Sequence, residues 1–178
     1  MKNLRSFRVK KIIALVLVMC LGFALTACTT SSSSSSSAKL EVSTEEQNPE
    51  MSSYTNDFDG IVSYLKDSEV LAGDASEMAA DFIGAVNGGK FSFSYEGTAI
   101  TCEIYEYDLD NLNEKAEETI ASVKENGTFR SLNEDVEATL SNSGKFLMIY
   151  KNSASSKDDT QKAMAERMND KFTNFVGK

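Results

Sequence analysis

The chain contains no histidine. That absence removes the commonest general base near neutral pH and the commonest transition-metal ligand. Ser-His-Asp and Cys-His nucleophile arrangements are excluded with it, as is any histidine-containing zinc site. Cysteine is nearly as scarce: Cys20, Cys28 and Cys102 are the only three. Pro49 is the single proline. Basic residues are few, 18 against 27 acids, which gives a net charge of −9. An enzyme built from what remains would have to use carboxylates, a Ser-Lys pair or a bound metal. No motif for any of these stands in the sequence.

The five basic residues Lys2, Arg5, Arg8, Lys10 and Lys11 precede the apolar run Ile12 to Leu25, and no acid interrupts either segment. As a helix this run of 14 residues would be about 21 Å long, too short for the roughly 30 Å of a bilayer's hydrocarbon. A basic segment, a short apolar segment and then small residues form the pattern of a cleaved export signal. The tetrapeptide Leu25-Thr26-Ala27-Cys28 resembles the lipobox of bacterial lipoproteins, Leu-x-small-Cys. The resemblance implies cleavage behind Ala27 and a diacylglyceryl group on the Cys28 sulfur. Two acyl chains supply the double anchor that stable membrane attachment requires. The expected location is the extracytoplasmic face of the cell membrane. With Cys28 lipidated, Cys102 has no partner and no intrachain disulfide is expected.

Five basic residues and no acids lie in 1–27, so the remainder carries 13 against 27, a net charge of −14. Such a field disfavours nucleic acid and anionic polymers as partners. It favours a protein or peptide with a basic face. Residues 28–52 hold seven consecutive serines, Ser31 to Ser37, and almost no large apolar side chains. They read as a polar tether with a reach of about 25–30 Å. Residues 53–178 read as one globular domain.

Within that domain, Asp57 is placed to cap a helix carrying Phe58, Ile61, Val62 and Leu65. Asp74-x-x-Glu77 resembles a capping box before Met78, Phe82, Ile83 and Val86, with Gly88-Gly89 as the stop. Phe91, Phe93 and Tyr95 alternate with polar residues, as do Ile100, Cys102 and Ile104, so a hairpin through Glu96-Gly97 is expected. Asn111-x-x-Glu114 opens the next helix, which ends at Asn126-Gly127. Strands over 128–132, 136–140 and 145–150 follow, then a helix capped by Ser156 or Asp158 with the stripe Met164, Met168, Phe172 and Phe175. The order predicts an α+β fold, an antiparallel sheet of about five strands with helices packed on one face. The strand Glu-Ile-Tyr-Glu-Tyr-Asp followed by Leu-Asp-Asn-Leu-Asn-Glu is similar to segments of small uncharacterised lipoproteins of Gram-positive bacteria. That resemblance implies no activity.

Candidate sites are few. Asp108-x-Asp110-Asn111-x-Asn113-Glu114 is dense in oxygen ligands, but it lacks the sixth-position glycine and twelfth-position Glu of an EF-hand loop. It reads as a strand-to-helix turn whose acids favour the helix N-terminus. Asn87-Gly88-Gly89-Lys90 lacks phosphate-loop spacing. Cys102, between Ile100 and Ile104, reads as inert core. Tyr105 and Tyr107 lie on the strand face opposite those residues and share it with Glu103. If one sheet face meets solvent, Glu103, Tyr105 and Tyr107 form the expected binding surface. Neither a cofactor nor a metal is called for. The reading is a non-catalytic, lipid-anchored binding module, with a small carboxylate- or metal-dependent envelope enzyme as the alternative.

Overall fold

The computed structural model describes residues 38–178, so the signal segment and Cys28 lie outside the described residues. Three helices and a main sheet of mostly antiparallel strands make up the fold. The strands are β1 (Ala38–Lys39), β2 (Ser76–Glu77), β3 (Asn87–Tyr95), β4 (Thr98–Glu106), β5 (Thr128–Ser131), β6 (Glu134–Glu137), β7 (Thr139–Leu140) and β8 (Phe146–Asn152). The helices are α1 (Phe58–Asp67), α2 (Glu114–Asn126) and α3 (Asp159–Thr173). Strand order in the main sheet is β1-β3-β4-β8-β7, with β2 also on β3, while β5 and β6 form a separate hairpin. Among the described residues, no helix is long and apolar enough to cross a membrane.

The helix signals are local. Asp57 accepts from the Gly60 amide at 2.8 Å, Asn113 from Ala116 at 2.9 Å and Asp158 from Gln161 at 2.9 Å. Each side chain satisfies one of the orphan amides that a helix start leaves. The cap of α2 is thus Asn113, two residues beyond Asn111. Asp57 also accepts from the Thr55 hydroxyl, and these two bonds hold its carboxyl below the usual range. A carboxylate with a depressed folded pKa stabilises the fold above its unfolded titration, near about pH 4, and loses that contribution as pH falls through the folded value. Asp57→Ala is therefore expected to lower stability by about 1 kcal/mol at neutral pH. The same variant should flatten the acid limb of a urea-midpoint-against-pH curve.

Core packing departs from the one-sided arrangement that the element order predicts. Phe91, Phe93, Ile100, Cys102, Ile104, Phe146 and Met148 meet α1 and α3 on one face, against Ile61, Tyr64, Leu65, Met164, Met168 and Phe172. On the other face Tyr105, Tyr107, Leu147 and Ile149 meet Ala116, Ile120 and Val123 of α2, with Phe129 of β5. Helices therefore cover both faces of the sheet. The consecutive buried residues Phe146 to Ile149 of β8 are the unalternating run of a strand enclosed from both sides.

Two further expectations change. The segment after Asp74 is not a helix: it holds the two-residue β2 and a 3-10 turn, Asp81–Ile83. Gly88 and Gly89 fall inside β3 and do not terminate a helix. A Cβ on Gly88 would stand 2.7 Å from the Tyr105 ring, and one on Gly89 2.7 Å from the Phe58 ring. The glycine pair thus seats one aromatic on each face of the sheet. The polar stretch also divides: residues 38–52 belong to the same compact unit as the rest of the described chain. β1 pairs with β3 in parallel at Phe93 and Ser94, and Leu40 is buried. Leu40, with Ala38, Val42 and Met51 packed on the same core, and a sheet edge are enough to dock part of a segment whose composition reads as tether.

Candidate functional site

The three residues expected to form a surface patch have separate fates. Tyr105 and Tyr107 are fully buried, so no solvent-facing Tyr-Glu-Tyr patch exists. Helix α2 and β5 cover the face that the sequence leaves open. Tyr105 packs on Gly88 and meets Phe82 edge-on, ring centres 5.9 Å apart. Its hydroxyl donates to Glu103 at 3.1 Å, and Glu103 pairs with Lys90 at 3.3 Å. Burial, then the neighbouring Glu103 carboxylate, raises the Tyr105 phenol well above its ordinary value. Burial does the same for Tyr107, whose hydroxyl has no hydrogen-bond partner. Glu103 remains partly exposed, but its charge is already matched by Lys90. Cys102 is buried and its thiol is pushed up by desolvation, the opposite of an activated nucleophile.

The exposed feature nearest to these residues lies at the end of β4. There Glu106, Tyr107, Asp108, Leu109 and Asp110 join Val86 and Lys145 around an open hollow of about 520 Å³. Val86 donates its amide to the Glu106 carbonyl at 2.8 Å, which sets the start of β3 beside the end of β4. The Val86 side chain is 62% exposed and that of Leu109 45% exposed. These apolar groups are held outward by a backbone fixed in the sheet and in the turn after it.

The charges of the hollow do not cancel. Lys145 pairs with Glu106 at 3.1 Å and also donates to the Asn56 carbonyl, with the Phe146 ring 5.7 Å away. Glu106 uses its other oxygen to accept from the Phe58 amide at 3.1 Å. That pair is internally satisfied. Asp108 accepts only neutral groups, the Asp110 amide at 3.1 Å and the Asn111 side chain at 2.9 Å. Neither Asp108 nor Asp110 has a cation within ion-pair distance among the described residues. The rim is therefore anionic, and the hydrogen bonds of Asp108 are those of a self-contained turn between β4 and α2. Among the described residues, no group of three or more acidic or cysteine side chains is arranged to hold a metal.

Sequence reasoning places Val86 on a buried helix stripe; it lies instead just before β3, exposed, with its amide bonded to the Glu106 carbonyl. A usable signal was Leu109, an apolar residue standing between two acids. The chain matches no family model, no curated protein and no solved structure.

Proposed function

We propose that this protein is a non-catalytic, lipid-anchored binding module on the extracytoplasmic face of the membrane, held there through Cys28. In this reading the hollow beside Val86 and Leu109 receives a basic, apolar-tipped segment of another protein. The address rests on the signal segment and the lipobox resemblance. The docking site rests on one observation: two outward apolar side chains flanked by Asp108 and Asp110, whose charges nothing nearby neutralises. An apolar centre inside a charged rim is the arrangement in which burial gives affinity and charge gives choice of partner. The partner's cations would approach a chain carrying −14 after the signal segment, so long-range attraction adds to the local fit.

The test is photo-crosslinking of the full-length protein in its own membrane, with a probe at Leu109 and a control at Leu132. Leu132 is 96% exposed at the β5–β6 turn, so accessibility alone would favour the control. A dominant protein adduct at Leu109, reduced about tenfold by Asp108→Lys with Asp110→Lys, is the expected result. Equal labelling at both positions, or labelling indifferent to the charge reversal, would remove the docking site. In the same preparation Cys28→Ala should leave the membrane fraction; its retention there would remove the anchor.

A further inference from the structure

Residues 40–50 cross α1 and α3 without regular structure. Their amino end is fixed by Leu40, which is buried and donates its amide to the Ser94 carbonyl at 2.8 Å. Their carboxyl end is fixed by Tyr54, whose ring meets Tyr64 and whose hydroxyl donates to Asp67 at 2.7 Å. Between these ends, no backbone–backbone hydrogen bond ties Glu41 to Pro49 to the body of the domain among the described residues. The segment is held there by side chains, with Val42 its one apolar contact on the core. Glu69 accepts from the Ser43 amide at 2.7 Å and from its hydroxyl at 2.9 Å. Glu46 lies 3.4 Å from the Lys171 ammonium and 3.9 Å from the Arg167 guanidinium, and Asn48 accepts from Lys171.

The two sides of this fastening are unlike. Lys171 is only 6% exposed, on the buried face of α3 with Met164, Met168 and Phe172. Glu46 is on the surface, with its side chain 58% exposed. The fit beneath is incomplete: a hollow of about 540 Å³ separates Gln47, Asn48 and Pro49 from Lys66, Asp67 and Glu69 of the α1 end. The Arg167 Nε that faces Glu46 at 3.9 Å makes no hydrogen bond, and neither does the buried Ser68 hydroxyl, although Arg167 also donates to the Ser68 carbonyl at 2.6 Å. Local opening is easiest where few apolar contacts and few backbone bonds resist it. We infer that residues 41–49 are a releasable strap, clasped over α3 by Glu46 on Lys171 and Arg167 and opening between its fixed ends at Leu40 and Tyr54 without unfolding of the sheet.

Hydrogen exchange on the full-length protein separates the possibilities. Glu46→Gln removes a largely exposed charge and leaves the core untouched. It should speed exchange of the Ser43 amide about fivefold at low salt, with the Leu40 amide and those of β3, β4 and β8 unchanged. Wild type should approach the same rates as salt is raised from about 0.01 M to about 1 M, over which the screening length falls from about 30 Å to about 3 Å. Lys171→Gln should act in the same direction, and the sheet amides report whether that variant still folds. Strap amides that respond to neither the substitution nor salt would overturn the inference. So would strap amides that exchange only in step with the sheet.

Discussion

Tyr105→Ala is expected to destabilise the domain by about 3–5 kcal/mol, the loss that follows from emptying a buried aromatic site. The ring is fully enclosed by Gly88, Phe82 and the α2 side of the core, so no neighbour can refill the space without moving backbone. Tyr105→Phe keeps the ring and loses only the bond to Glu103, about 1 kcal/mol. Tyr107→Phe should go the other way. Its hydroxyl is buried without a partner, and removing it is expected to raise stability by about 1 kcal/mol. Urea unfolding of the three variants with unchanged m-values would measure this ordering. Two exposed tyrosines of a binding patch would instead give near-neutral alanine variants, so a small effect of Tyr105→Ala would contradict the two-sided core.

Gly60→Ala is the second large effect, and here local preference and packing give opposite signs. In an exposed helix this substitution stabilises by about 1 kcal/mol, because alanine is the better helix former. Gly60 sits in the first turn of α1, and a Cβ there would stand 1.8 Å from the Thr55 carbonyl oxygen. Thr55 cannot yield freely, since its hydroxyl donates to the same Asp57 carboxylate that caps the helix. Relieving the clash means breaking the cap. A net loss of about 3 kcal/mol is expected, with the shift in the urea midpoint as its measure. Stabilisation by Gly60→Ala would show that the chain before α1 is not held against the helix.

Elements carried by local chemistry were legible in the residues. The caps Asp57 and Asp158, the stop at Asn126-Gly127, the β3–β4 hairpin through Glu96-Gly97 and the stripe from Met164 to Phe175 all depend on groups a few residues apart. Capping boxes are less secure. Asp74-x-x-Glu77 has the spacing of one, but Ser76 and Glu77 pair with Lys90 and Gly89 of β3 instead. The candidate site failed for a related reason. Alternation correctly put Tyr105 and Glu103 on one face, yet alternation does not say whether a helix from elsewhere covers that face. The run Phe146-Leu147-Met148-Ile149 carried that information in β8, as a strand with no polar side.

By itself the sequence determined the absence of histidine chemistry, the acidic field and the register of the three helices and the β3–β4 hairpin, because these depend on residue type and short spacing. Tertiary structure alone decided that both faces of the sheet are covered and that Tyr105 and Tyr107 are interior. It also decided that residues 41–49 lie clasped on α3 and that Val86 and Leu109 share an exposed hollow. Each of these joins side chains distant in sequence, and burial is fixed by which other segment arrives. A residue's own apolar character sets how much free energy is available on burial. Only the fold sets whether that burial occurs within the chain or is left for a partner.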